Sequence, residues 1–235
     1  LKIAGVDGCR AGWLMIKFAN DEYTFDVYPD FQKLIRFNPD LDRIFIDIPI
    51  GLSTKKIKRT IDSTLRRVLK KRGSTVFNAP SRPAVYEIND EKARALNIQI
   101  EGKSLSIQSL NIRNKIKEVD EFLIHSATFR SKIYESHPEF CFSVLNGDIL
   151  LSKKSTKEGI KARLEIIKSK NPVLHQLYNQ ILHQTKRNEV KKDDIVDAIC
   201  LCICNQIALM KGIKLLKDEN TEDIEHIPIR IAYFE

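Results

Sequence analysis

The sequence lacks most of what would mark a secreted, membrane-spanning or zinc-stapled protein. No apolar run approaches the roughly 20 residues that a bilayer span needs. The apolar opening LKIAGV meets Asp7 at once, with no h-region of the usual ~7–15 residues of a signal peptide. The reading is an intracellular, cytoplasmic protein with no membrane partner. Cysteine is sparse and odd in number, at positions 9, 141, 200, 202 and 204. No C-x2-C pair occurs; Cys200, Cys202 and Cys204 alternate inside an apolar run. On a helix Cys200 and Cys204 share a face and Cys202 does not. Buried free thiols are therefore expected, without disulfides or a thiolate metal site. No G-x-x-x-x-G-K-[ST] loop occurs, which excludes the P-loop class alone. No low-complexity linker divides the chain.

What is present is ordinary globular material. The 235 residues are 43% hydrophobic and 30% charged, enough for one large domain, or a domain with a long insertion, around a real core. The net charge is +8 and unevenly spread. Residues 55–72 hold nine Lys/Arg and one acid, Asp62; residues 153–192 hold eleven Lys/Arg and three acids. A polyanionic partner such as DNA or RNA fits this surplus, and so does a solvated lysine-rich surface.

Short apolar runs predict strands over 2–7 and 12–18, and period-2 alternation predicts one over 23–28, joined by tight turns into an antiparallel meander. Residues 30–37 have helical spacing behind a capping Asp30, and 42–48 should be a fourth strand, parallel to the first. The middle, 52–130, reads as a mainly helical and basic insertion, with helices at 57–71, 86–97 and 107–124 and a proline-bearing loop at 73–86. A strand is expected at 131–135, helices at 157–169, 173–184 and 193–210, and a last small strand at 229–234.

Three predicted strands end in an acid: Asp7, Asp47 and Glu135. In open α/β sheets that rim is where ligands bind. The 193–210 helix opens on Asp193, Asp194 and Asp197, and Asp197 lies too far in for the helix dipole to explain it. Carboxylates gathered at one place repel each other and their pKa values rise. A hard divalent cation, magnesium or manganese, removes that penalty. Two such ions about 4 Å apart would activate water and stabilise the leaving oxygen in phosphodiester hydrolysis. Asp7 is then the expected bridging ligand, with Asp47 and Asp197 on either side and Glu135 or Asp194 completing the set. The competing reading makes each acid a cap or a solvated strand end.

The chain resembles the family known as DUF429, regarded as predicted nucleases with a ribonuclease H-like fold. The resemblance rests on GVDGCRAGW at 5–13, DIPIGL at 47–52, RTIDSTLR at 59–66, GSTVFNAPSRPAVY at 73–86, YESHPEF at 134–140, KEGIKAR at 157–163 and KKDDIVDAI at 191–199. It implies a mixed α/β sheet flanked by helices, with a helical insertion, and Asp7, Asp47, Glu135 and Asp197 as catalytic acids. RTIDSTLR departs from the family pattern, which places a cysteine before the aspartate; Thr60 stands there, so no thiol role is implied.

Arg10, Arg59, Arg66 and Arg82 are candidates for holding a phosphate. The alternative is that Arg59 and Arg66 pair with Asp62 and nearby acids. Two roles are open to His137, a proton shuttle or a fixed loop contact, and Glu139 either binds metal or orients His137. Trp13 and Phe77 are expected in the core rather than stacked on bases. The expectation is a single domain over 1–235 that hydrolyses nucleic-acid phosphodiester bonds with magnesium or manganese. A small phosphorylated metabolite as ligand, or a non-catalytic binding protein, are the alternatives.

Overall fold

The computed structural model describes residues 1–234. In chain order the elements begin with β1 (Ile3–Cys9), β2 (Gly12–Ala19), β3 (Glu22–Tyr28), α1 (Phe31–Phe37) and β4 (Arg43–Ile46). Next come α2 (Ile61–Leu69), α3 (Arg82–Tyr86), α4 (Asp90–Glu101), α5 (Ile107–His125) and β5 (Ile133–Glu135). The chain ends with α6 (Pro138–Asn146), α7 (Lys157–Lys170), α8 (Pro172–Gln184), α9 (Lys192–Lys211), β6 (Lys214–Glu222) and β7 (Pro228–Tyr233). The result is α/β: a mixed sheet of seven strands in the order β3-β2-β1-β4-β5-β7-β6, flanked by helices.

The chain divides into two compact units. The first comprises Leu1–Ile48, Lys132–Lys214 and the chain from Ala232 onward; the second comprises Pro49–Ser131 and Leu215–Ile231. In the first unit β1, β2 and β3 form the expected antiparallel meander, and β4 and β5 continue it in parallel. The tight turn at Asn20 and Asp21 puts both residues at positive φ, 52° and 62°. That conformation suits the twist of a two-residue hairpin and is tolerated by Asn and Asp. Asp30 caps α1 by accepting the Lys33 N–H at 2.7 Å. One face of α1 buries Phe31, Leu34 and Ile35. Trp13 meets Phe31 edge-on with ring centroids 5.6 Å apart, so it is a core residue. The opposite face of the sheet carries α9.

All five cysteines are buried thiols, as their apolar setting requires. Among the described residues no helix is long and apolar enough to cross a membrane.

The second unit holds α2 to α5. Its first helix begins at Ile61 rather than 57. The Asp218 carboxylate accepts the Thr60 and Ile61 N–H groups at 2.6 and 2.5 Å and so sets the helix start. Upstream, Arg59 N–H is already committed to Ser53 Oγ at 2.9 Å. The loop expected at 73–86 contains the short α3, and the helix expected at 86–97 runs instead from Asp90 to Glu101 behind an Asn89 cap. Two elements had no counterpart in the sequence reading: α6 and β6.

Candidate carboxylate site

The site lies wholly in the first unit. It is built by one close approach, that of α9 to β1. A Cβ added to Gly5 would stand 2.2 Å from Cys202 N and 2.4 Å from Ala198 O. Only glycine lets the helix backbone rest there. The helix runs antiparallel to the strand. Asn205 Nδ2 donates to Ala4 O at 2.8 Å, Ala198 and Cys202 lie on Gly5, and Ala11 N–H donates to Glu189 O at 3.1 Å. The acidic first turns of α9 therefore reach the carboxyl end of β1. Asp7 is two residues beyond Gly5, on the same face of the pleat, and so faces that helix.

Asp47 follows the last residue of β4, and its N–H donates to Val6 O at 3.0 Å. Val6 and Ile46 are register partners, so Asp47 stands level with Asp7 on the neighbouring strand. Neighbouring strands are about 4.8 Å apart. Asp7 is buried and its Oδ1 accepts the Gly8 N–H at 2.8 Å. Asp197 is 1% exposed, and its Oδ1 has no hydrogen-bond partner.

The electrostatics tie these three groups together. Burial raises the Asp7 carboxyl well above the usual range, and the negative charges of Asp47 and Asp197 raise it further. Burial likewise pushes Asp47 up to about 7, opposed by Lys154 and assisted by Asp197, Glu135 and Glu139. Asp197 is also raised, chiefly by burial, with Lys154 opposing. Asp194 is pushed up to about 6, again mainly by burial. Its Oδ2 accepts the Lys191 N–H at 2.9 Å, closing a capping box at the start of α9.

Glu135 is out of phase with the others. It is the register partner of Ile46, so the pleat sends its side chain to the face shared with Val6 and Ile46, away from Asp7 and Asp47. The next residue, Ser136, is on the α9 side: its Oγ lies 3.2 Å from Cys141 Sγ of α6 and donates to Ala232 O at 2.7 Å. The negative charge of Glu135 nonetheless acts on Asp47. The acid that α6 brings toward Asp47 and Asp197 is Glu139. Its two oxygens accept from Arg163 Nη2 at 2.7 and 2.8 Å, and both side chains are buried. His137 occupies the N-cap position of α6 and is partly exposed.

A cation stands inside this cluster. Lys154 Nζ lies 2.5 Å from Asp197 Oδ2, and the charges of Asp47 and Asp7 also hold the ammonium in its protonated form. Sequence reading placed Lys154 only in a basic segment, and its position has a local cause. A Cβ on Gly159 would fall 1.8 Å from Lys153 O, so the missing side chain lets the preceding loop fold back on α7. Thr156 caps that helix through the Gly159 N–H at 3.0 Å and donates its hydroxyl to Lys153 O at 3.0 Å. Arg163 Nη2 donates to Ser152 O at 3.2 Å and Nη1 to Gly159 O at 2.9 Å. The KEGIKAR stretch thus anchors the loop that presents Lys154.

Of the arginine candidates, Arg10 is exposed at the β1–β2 turn. The other three lie in the second unit and are engaged there. Arg59 bonds Asp62 Oδ1 at 2.7 Å and the carbonyl of Ile50 at 2.7 Å. Arg66 bonds Val76 O at 3.0 Å and Asn78 Oδ1 at 2.6 Å. Arg82 is shared between Asp120 at 2.8 Å and Asp223 at 2.5 Å. These contacts organise the second unit itself.

Among the described residues, no group of three or more His, Cys, Asp or Glu side chains forms a set that could hold a metal ion. Asp7, Asp47 and Asp197 offer carboxylate oxygens whose pKa values are raised first by burial and then by neighbouring acids, and Asp197 Oδ1 is buried without a hydrogen bond. Lys154 supplies part of the compensation.

A family model described as a protein of unknown function, DUF429, matches residues 5–216. No curated protein and no solved structure matches the chain.

Proposed function

We propose that this chain, which belongs to the DUF429 family, is a metal-dependent phosphodiester hydrolase acting on nucleic acid, with its site at Asp7, Asp47 and Asp197. The observation that carries the reading is that Asp47 stands level with Asp7 on the neighbouring strand and that buried Asp7 feels the negative charges of Asp47 and Asp197. A mixed sheet with acids on its first strand, just after its fourth and on its last long helix supports a ribonuclease H-like assignment.

Asp7, Asp47 and Asp197 would hold magnesium or manganese. When bound, such an ion supplies charge compensation and lowers the pKa of coordinated water. The protein's part is to aim the carboxylates from rigid elements: Asp7 from β1, Asp47 from its pairing with Val6, Asp197 from the helix seated on Gly5. Glu139, held by Arg163, adds negative charge at the edge of the cluster. Lys154 competes with a metal ion for Asp197. Once its ammonium withdraws, it is positioned to pair with a phosphate oxygen. His137, at the N-cap of α6 two residues before Glu139, would serve as a proton carrier.

A second reading draws on the Lys154–Asp197 ion pair. In it the ammonium is the permanent counter-ion, and the chain binds its ligand without hydrolysing it. One experiment separates the two. The protein and its Asp7→Asn variant are incubated with labelled single- and double-stranded DNA and RNA in manganese. Cleavage by the parent chain that is lost in the variant supports hydrolysis. Binding without cleavage supports the second reading, and equal cleavage by both forms places the activity elsewhere.

A further inference from the structure

We propose that the cavity between α7, α8 and the start of α9 binds a nucleoside phosphate, the unit that flanks the bond to be cleaved. The proposal rests on the functional reading above and names the substrate feature that the site would grip.

The cavity has a volume of about 440 Å³ and is lined by residues of the first unit. That falls within the roughly 300–1,000 Å³ of small-molecule sites and far exceeds what a bare phosphate fills. Its walls have two chemistries. Leu164, Leu182 and the buried Tyr178 give the cavity an apolar wall, suited to the apolar body of a base. Lys157, Lys161 and Lys192 add cations, and Lys154 makes a fourth, against the acids Glu165 and Asp193.

A further feature points to an anion. Ser155, Thr156 and Lys157 line the cavity where α7 begins. The N-terminus of a 14-residue helix carries partial positive charge and outward N–H groups. Lysines and helix terminus thus favour a phosphate in the same place. Lys154 belongs both to this lining and to the ion pair with Asp197, so the cavity adjoins the carboxylates through one side chain. A ligand with a ring and a phosphate matches both walls; an uncharged nucleoside matches one wall, and inorganic phosphate the other.

The test is a calorimetric titration of the whole chain in EDTA with 5′-AMP, adenosine, inorganic phosphate and a single-stranded RNA pentanucleotide. AMP should bind at least about tenfold more tightly than adenosine or phosphate, the value of one charge-assisted contact. The exposed pair Lys157→Glu with Lys161→Glu should weaken AMP by about tenfold or more, whereas Lys157→Arg with Lys161→Arg should retain it. Tighter binding of the pentanucleotide than of AMP assigns the pocket to a unit within a strand; the reverse assigns it to a free nucleotide, and either supports a nucleoside phosphate site. AMP no tighter than phosphate, or indifferent to charge reversal, overturns the proposal. Without divalent cation the titration reads the cavity alone, so loss of the hydrolase reading in the cleavage assay would not by itself decide it.

Discussion

Lys154 Nζ stands 2.5 Å from Asp197 Oδ2, 43 residues away in the chain, inside a group of carboxylates on β1, after β4 and on α9. The pair sets the electrical state of the site. Its ammonium moderates the raised carboxyls of Asp7, Asp47 and Asp197.

Replacing Lys154 with methionine should make the chain lean on an added cation. In EDTA the variant should melt below the parent protein. Manganese should raise its melting temperature more than it raises the parent's, because the ion no longer competes with an ammonium. Differential scanning calorimetry with and without manganese checks this. Equal manganese shifts in both proteins would contradict it.

The raised carboxyls predict a pH dependence. Asp47, at about 7 in the folded chain, lies well above the roughly 3.9 of an unfolded aspartate. The folded state therefore binds the extra proton between these values, and stability falls as pH rises. The contribution is fully present below about pH 4 and is lost as pH rises through about 7. Asp7 and Asp197 are raised too and act in the same direction, and Lys154 opposes them. In metal-free buffer the melting temperature should drop between pH 5 and pH 7, and Asp47→Asn should flatten that slope; both are read from thermal melts across buffers of matched ionic strength.

Gly5→Ala should damage the site from beneath. The new methyl would meet Cys202 N at 2.2 Å and Ala198 O at 2.4 Å, both backbone atoms that no rotamer change can move. Overpacking of this kind costs about 1–3 kcal/mol or more. Urea denaturation should show that loss. The alanine variant of Gly102, where an added Cβ meets nothing within 4 Å, controls for space, although its positive φ of 71° adds strain.

Arg163→Met should cost about 3–5 kcal/mol, because it strands a buried Glu139 carboxylate without its bidentate partner. Glu139→Gln placed in the same background should recover part of the loss. A double-mutant cycle in urea measures the coupling. Additive single effects would show that the pair does not act as a unit.

Much of the first unit was legible in the sequence because its periodicities are local. Short apolar runs mark β1 and β2, alternation marks β3, Asp30 announces α1, and the apolar run after Asp193 announces α9. The strand-end rule singled out Asp7 and Asp47 because each closes a buried apolar run, and the structure sets the two level on neighbouring strands. It selected Glu135 by the same rule but could not fix its phase: β5 has only three residues, and the pairing of Glu135 with Ile46 is a tertiary fact. Helix α6 carries local signals, Pro138 at its first turn and Gly147 in the left-handed region after its end, but its nine residues are too short for a clear helical period. Strand β6, KLLKDENTE, is polar and largely exposed or half-exposed, and lacks the apolar alternation that would identify it. Lys154 was hidden because its partner lies on another helix; only Gly159, which lets its loop fold back, leaves a local trace.

Diffraction from a crystal soaked in manganese tests the central claim most directly. The account predicts an anomalous peak about 2 Å from carboxylate oxygens of Asp7 and Asp197, with the Lys154 ammonium displaced from Asp197 and no such peak in Asp7→Asn crystals. A carboxylate cluster that binds no manganese, with Lys154 still paired to Asp197 at saturating metal, would contradict it.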